Sequence, residues 1–380
     1  MSSINTKIIA IDGLSACELS AWADFRVANP ALYSPYFHSE YTQLLAQLCP
    51  DVHVLVVEQF GDPIAFLPFQ AKISTSGKVG FARPVGAPMT DYHGFICAPN
   101  TQFDVRTALK QAGFGAFHYS ALVGSQNMLA SNGEQNTACT VMDLSIGAEA
   151  WRASRDKSYR RHLKSHRRRV RKAEELGPRR LAFMSPDKDV FEQLINWKCE
   201  KFAETGRYNV LSAPWTRALL ENLWQRGADA EFRADMHALY FGDQLAAIDL
   251  GLCDGVTFHS WMVAYNADFQ TLAPGIQLLE AIIDAAGDLG YGRIDLGEGI
   301  GGYKRHYASE DVAVGSGFIA VSGPSATLSK LYGGLESFGE TKLGKVGKLP
   351  GKVRRRYSQI SACDATLTGR SRAMLQAVRG

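Results

Sequence analysis

The 380-residue sequence has no Cys-x-x-Cys pair, and its seven cysteines (17, 49, 97, 139, 199, 253 and 363) are scattered and odd in number. Such a set argues against a disulfide framework or a zinc site and for a reducing compartment. No apolar run approaches the ~18 to 20 residues that span a bilayer. The opening MSSINTKIIAIDG also lacks the charged segment followed by an apolar one that marks a secretory leader. The expectation is a cytoplasmic chain with no metal and no membrane span, peripheral contact with the inner membrane face remaining open. Net charge is small too, at a formal +3, but it hides a strong local asymmetry. Between Arg152 and Lys172 lie eleven Lys or Arg residues against one acid, Asp156. A second basic cluster runs from Lys342 to Arg356, with Arg370, Arg372 and Arg379 beyond it. Charge runs of this kind are either solvated faces or sites for an anionic partner.

The length exceeds the usual span of one core, which predicts two domains. In the first half, strands are expected at 7–11, 52–60, 64–73, 78–82, 116–122 and 140–144, and helices at 15–27, 39–48 (capped by Ser39) and 103–112. The segment from Arg83 to Asn100 reads as loop and carries Asp91-Tyr92-His93. The basic stretch 151–176 contains no Gly or Pro and reads as one helix stopped by Gly177. Beyond it come a strand at 180–184, a helix capped by Ser185-Pro186-Asp187 and a helix at 215–226. Strands follow at 237–241, 244–253 and 256–265, then a helix at 276–289, a strand at 292–296, a short helical turn at 304–308 and a last strand at 312–321. The second half thus runs β-α-α-β-β-β-α-β-α-β, and the first half repeats a weaker version, as expected of two copies of one fold. The divisions are 1–150, 151–325 and a basic tail, 326–380, with mixed α/β sheets flanked by helices.

The stretch Thr271 to Tyr307 carries the chemistry. Pro274 and Gly275 open an apolar-periodic helix, and a helix start with free N–H groups is a natural anion site. A strand follows, then Glu298 on a glycine-rich turn, then Tyr303-Lys304. Glu298 is a candidate base, desolvated among glycines, with an exposed loop carboxylate as the plain alternative. Asp295 is the competing base, or a partner of Lys304, and Lys304 itself suits binding of substrate charge. Strand alternation puts His259 on one face with Thr257 and Trp261, and Asp249 has a similar place on the preceding strand. Trp197, Lys198 and Tyr265 are candidates for an acceptor pocket, since aromatic platforms suit sugar rings. Core packing explains two of these three equally well.

Four pieces together carry a resemblance: SYRRHLKSHRRRVRKAEELG (158–177), Trp197-Lys198, Tyr265 with Pro274-Gly275, and DLGEGIGGYKRHY (295–307). They resemble the CelD-like (BcsL-like) acetyltransferases of cellulose and exopolysaccharide synthesis. That group is similar to the FemAB transferases in carrying two tandem GNAT-like domains. The resemblance covers about 150–322. It implies an acyl-CoA donor, acetyl-CoA first, whose phosphates lie on the main-chain N–H groups of Pro274, Gly275, Ile276 and Gln277. It also implies Tyr303 as the acid for the leaving thiolate. The implied acceptor is a sugar or lipid-linked polysaccharide precursor at the cytoplasmic membrane face. One departure stands out: the usual Gln/Arg-x-x-Gly-x-Gly/Ala phosphate loop is replaced by Thr271-Leu272-Ala273-Pro274-Gly275-Ile276-Gln277, which leaves room for another donor. Two further readings therefore stay open: a FemAB-like aminoacyl-tRNA-dependent transferase and a non-catalytic nucleotide-binding effector. The basic 152–172 segment admits a solvated face, an anionic membrane surface or RNA. Arg354, Arg355 and Arg356 admit a cyclic dinucleotide.

Overall fold

A computed structural model describes residues 4–123, 135–342, 349–364, 368–371 and 374. The chain divides into two compact units, Met1–Asn136 with Ser212–Leu219 and Ala313–Gly380, and Thr137–Leu211 with Leu220–Val312. The first unit opens with β1 (Ile4–Ile9), α1 (Ala16–Ala28) and α2 (Ser39–Leu48). A capping box between Ser15 and Glu18 starts α1. The cap of α2 is His38, whose Nδ1 accepts the Glu40 N–H, and not Ser39 as the sequence suggested. Next come β2 (Val52–Gln59), β3 (Asp62–Gln70), β4 (Val79–Pro84), the two-residue β5 (Ile96–Cys97), α3 (Val105–Gln111) and β6 (Phe114–Val123). Phe60 and Gly61, both at positive φ, form the two-residue turn that joins β2 to β3. Strand β5 falls in the stretch read as loop; two residues are too few to show a periodicity.

The second unit takes β7 (Gln135–Asp143), α4 (Ala148–Ala153), α5 (Lys157–Glu174), β8 (Arg179–Ala182) and α6 (Lys188–Glu204). Helix α7 (Pro214–Gln225) has its first turns in the first unit and its last residues in the second. Then follow β9 (Arg233–Phe241), β10 (Gln244–Cys253), β11 (Thr257–Tyr265), α8 (Pro274–Ala285) and β12 (Arg293–Glu298). The chain closes with β13 (Glu310–Ala320), α9 (Gly323–Lys342) and α10 (Leu349–Cys363), so the described part of the expected tail is helical. The expected single basic helix is two. The chain breaks at Ser154–Asp156, where the Asp156 carboxylate accepts the Tyr159 N–H at 2.8 Å and starts α5 afresh.

Within the first unit the strand order is β1-β2-β3-β4-β6-β13, and within the second it is β7-β12-β11-β10-β9-β8. Strand β13 was expected to end the second domain, yet it pairs antiparallel with β6 of the first unit. Strand β7, expected in the first domain, pairs antiparallel with β12 of the second. Each unit therefore completes its sheet with a strand from the other half of the sequence. Local pattern shows a strand's existence but not its neighbour, which explains the difference from the expected boundary at 150.

In the second unit, β11 and β12 run parallel but pair only at Thr257↔Arg293, Phe258↔Ile294 and His259↔Asp295. Beyond that point both strands carry an irregularity. On β11, Leu250 faces Met262 while Gly251 faces Ser260, which leaves Trp261 as an extra residue. On β12, Leu296 and Gly297 stand against a single residue of β7. Bulges bend a strand and raise its twist, so two of them at one level turn the strands away from each other. The Asp295 side chain fixes the β12 bend: its Oδ1 accepts the Gly297 N–H at 2.7 Å, with Gly297 at φ 70. Gly251 makes the β11 bulge possible, because a Cβ there would lie 2.2 Å from the Phe258 ring and 2.8 Å from the His259 carbonyl oxygen. The Gly251→Ala substitution is thus expected to cost about 1–3 kcal/mol by overpacking. Equilibrium denaturation of the variant measures this, and an unchanged midpoint would contradict the account.

Helix α5 is fastened beside α8 by one buried carboxylate. Glu280, 4% exposed, accepts the Tyr307 hydroxyl at 2.8 Å, the Tyr159 hydroxyl at 3.3 Å and Arg152 Nη2 at 2.9 Å. His162 on α5 meets the Tyr307 hydroxyl at 3.0 Å, and Trp151 stacks on the Tyr307 ring. Removing the carboxylate leaves a half-buried guanidinium and two buried hydroxyls short of an acceptor. Glu280→Ala is expected to lower unfolding stability by about 3 kcal/mol. Chemical denaturation checks this, and a loss well below 1 kcal/mol would show that the network holds little.

Candidate active site

Where β11 and β12 part, the second unit has a cavity of about 260 Å³. Its walls are Asp249 of β10, Ser260, Val263 and Tyr265 of β11, Leu296 at the β12 bulge, Tyr303, and the turn and first residues of α8. The opening exists because the strands stop sharing hydrogen bonds. Side chains that would have been inside a closed sheet line a hole instead.

One wall is the start of α8. Ala273 precedes the helix in the left-handed conformation (φ 51, ψ 57), and no side chain caps the helix. Pro274 has no N–H, and the Gly275 N–H has no partner among the described residues. The N–H groups of Ile276 and Gln277 both return to the Ala273 carbonyl, at 3.1 and 3.2 Å. The expected four-residue cradle is therefore narrower: one free N–H at Gly275, backed by the positive end of a twelve-residue helix. Gln277 is fully buried, and its Nε2 donates to the Leu272 carbonyl at 3.0 Å, so it braces the turn instead of facing the cavity. A Cβ on Gly275 would sit 3.8 Å from Val263 Cγ1 and 3.9 Å from Tyr265 Cδ1, so Ala fits there and longer side chains enter the cavity.

Across from it lies Asp249, 3% exposed. Its Oδ2 accepts the Ser260 hydroxyl at 2.8 Å, while Oδ1 is buried without a hydrogen-bond partner. Burial pushes this carboxyl up to about 6, against the hydrogen bond from Ser260 and the nearby His259 and Lys198. Tyr303 also lines the cavity. Although 39% of the residue is exposed, desolvation raises its hydroxyl to about 12, with the charge of Asp249 as the second cause. A carboxyl poised near neutrality and a phenol that stays protonated thus flank one space.

The structure separates the expected residues into three groups. Asp249, Tyr265, Pro274, Gly275, Ile276 and Tyr303 come together around the cavity. Asp295, Lys304 and His259 build its hinge. His259 is fully buried with Nδ1 3.4 Å from Asp295 Oδ2, at the last paired position of β11 and β12. The Lys304 ammonium donates to the carbonyls of Leu296 at 2.6 Å and Glu298 at 2.7 Å, closing the end of β12. A third group lies outside the cavity wall. Glu298 is exposed at the end of β12 instead of desolvated, so the glycines around it give solvent access and no enclosure. Trp197 and Lys198 are half-buried on α6, where the Lys198 ammonium lies 5.6 Å from the Phe202 ring centroid. In the first unit, Tyr92 and His93 are each only 3% exposed and belong to the core. Arg354 is bound to Glu336 at 2.9 and 3.3 Å, and the Arg355 side chain lies outside the described residues. Ser260 was not singled out from the sequence. The bulge at Trp261 shifts the register there, and no local pattern marks it. Among the described residues no group of three metal-ligating side chains gathers, and no helix is long and apolar enough to cross a membrane.

Residues 160–305 match the acetyltransferase (GNAT) domain family. No curated protein matches the chain. Among solved structures, FemX is similar over 86% of this chain and 100% of its own, with 9% identity and a TM-score of 0.53. A tandem GNAT protein from the clavulanic acid biosynthesis pathway is similar over 84% of this chain and 99% of its own, at 11% identity and a TM-score of 0.48. The C-terminal domain of a putative lysylphosphatidylglycerol synthetase from Agrobacterium fabrum covers 83% of this chain and 95% of its own, at 13% identity and a TM-score of 0.47. The matched segment runs from α5 to the turn after Tyr303 and contains the whole cavity wall. The match to the acetyltransferase (GNAT) domain thus falls on the segment that carries the cavity, and the fold is of the GNAT type.

Proposed function

We propose that the cavity transfers a short acyl group, acetyl first, from coenzyme A to an amine or hydroxyl of a sugar or lipid-linked exopolysaccharide precursor, as in the CelD-like acetyltransferases. One observation carries the reading: an uncapped helix start and a buried, half-partnered carboxylate face each other across the space where β11 and β12 part. The donor fits at α8. The free Gly275 N–H and the helix dipole supply what a pyrophosphate needs. At about 260 Å³ the cavity is smaller than the ~300–1,000 Å³ of drug-sized ligand pockets, so only the reacting ends are enclosed. That limits the acyl group to a short one.

The protein's own residues then divide the proton work. Asp249 Oδ1 accepts the proton of the attacking amine or hydroxyl, while Ser260 holds the other oxygen in place. Tyr303 keeps its proton at every ordinary pH and gives it to the departing thiolate. Glu298, exposed and off the cavity wall, yields the role of base to Asp249. Holding both reactants in this gap replaces a bimolecular encounter with a local one, which lowers the barrier.

Calorimetric titration of acetyl-CoA into the protein is expected to show micromolar binding, about −8 kcal/mol. Gly275→Leu should weaken it at least about tenfold by entering the cavity, whereas Gly275→Ala should not. If charged tRNA binds and acetyl-CoA does not, the donor assignment fails. For catalysis, kcat/KM should fall as pH drops through about 6, where Asp249 becomes protonated. Asp249→Asn should lower kcat by about 10²–10⁴ and abolish that limb. Stability moves the other way. The folded carboxyl titrates near 6, above its ordinary 3.8, so its stabilising contribution is present at low pH and lost as pH rises through about 6. Asp249→Asn removes the penalty and should stabilise the protein at pH 8 by up to about 3 kcal/mol. A variant as active as the wild type, or one less stable than it at pH 8, would contradict the role given to Asp249.

A further inference from the structure

The exposed face of α5 takes no part in the cavity, and its composition calls for a separate explanation. Eight of its Lys and Arg side chains are exposed, from Lys157 through Arg160, Lys164 and Arg168 to Lys172. At 100° per residue they fall on one stripe about 140° wide and about 22 Å long. None of the eight makes an ion pair among the described residues. The opposite face is committed to the core, with Tyr159 and Ala173 buried and Leu163 packed against them. The helix therefore has no freedom to turn its cations elsewhere. Glu280 fixes its start through Tyr159, with Arg152 of α4 on the same carboxylate. Like charges at three- and four-residue spacing repel along the whole helix, and those in its first turn also oppose the dipole. Helix stability does not account for such a stripe.

We propose that this face of α5 docks the protein on an anionic phospholipid surface. A straight, one-sided stripe presents all its cations at one height, so a flat and laterally mobile array of phosphates neutralises them together. A nucleic-acid rod crossing a helix packed along its full length meets only part of the stripe. The stripe also has no aromatic ring for bases to stack on: Tyr159 is buried and His162 stacks on His306. Contact is electrostatic and reversible, because the apolar face of α5 is already used inside the protein. This assignment is independent of acyl transfer and of the identity of the donor.

Sedimentation with vesicles tests it on the full chain, using about one-third phosphatidylglycerol in phosphatidylcholine against phosphatidylcholine alone. The protein is expected to bind the anionic vesicles and not the neutral ones. Raising sodium chloride from about 0.1 M to about 0.5 M should release it, as screening shortens the reach of each charge. The combined Arg160→Gln, Arg161→Gln, Arg167→Gln and Arg168→Gln substitutions should weaken vesicle binding at least about tenfold while leaving acetyl-CoA binding and the denaturation midpoint unchanged. A second set, Lys157→Gln, Lys164→Gln and Lys172→Gln, should act in the same direction and guards against misfolding of the first. The proposal is overturned if anionic vesicles fail to sediment the protein or if both sets bind like the wild type. It is also overturned if transfer RNA displaces the protein from the vesicles and binds it more tightly.

Discussion

The second unit depends on an interaction that stops. Parallel strands β11 and β12 share a ladder for three residue pairs and then abandon it at His259 and Asp295. Two adjacent strands with bare edges would normally be a liability, since unpaired backbone groups inside a protein are costly. Here the groups find other partners. The Lys304 ammonium takes the Leu296 and Glu298 carbonyls, and Asp295 takes the Gly297 N–H. On β12 these side-chain hydrogen bonds take the place of the ladder, and the gap stays open. Residues that first look catalytic, an acid and an amine close in sequence, serve to keep the strands apart.

The open gap sets up conflict between stability and use. A left-handed Ala273, an uncapped helix and a buried carboxylate with an unpartnered oxygen each violate a rule that ordinary core positions obey. All three fall on the wall of one cavity of about 260 Å³. Departures from local consistency that converge in space are what a functional site looks like physically, and two of these three leave polar groups without a partner. Contrast Arg233 with Asp235 and Tyr291, also buried and charged in the same unit. There Arg233 Nε donates to Asp235 Oδ1 at 2.7 Å and the Tyr291 hydroxyl donates to Oδ2 at 2.6 Å, so both carboxylate oxygens are satisfied. That network is closed, and nothing about it invites a ligand.

Much of this was legible in the chain, for reasons that differ by residue. Pro274-Gly275 ahead of an apolar-periodic helix is a local signal, and local chemistry decided the outcome: α8 begins at Pro274. Asp249 was visible as an acid among apolar strand residues beside His259 of the next strand, but β10 is buried on both faces, so alternation did not predict its environment. At Glu298 the neighbouring glycines suggest enclosure in the sequence, while in the structure they leave the end of β12 open to solvent. The break at Asp156 was hidden in a stretch with no Gly or Pro, where a capping side chain did the work that breakers usually do. The destinations of β7 and β13 were not readable at all, since a strand's own residues do not name its neighbour. Gly251 looked ordinary in sequence. Its importance comes from Phe258, a residue on the next strand.

The same reasoning joins α5 to the site. A helix carrying so many unopposed cations needs an anchor on its other face, and there Tyr159 of α5 donates to a buried anion, Glu280, on α8. Since α8 also provides the start that faces the cavity, one twelve-residue helix holds α5 with its middle and the cavity wall with its first turn. Glu280 and Gly275 lie on the same helix, one near its middle and one in its first turn. The helix that anchors the basic face of α5 is therefore the same one that frames the cavity.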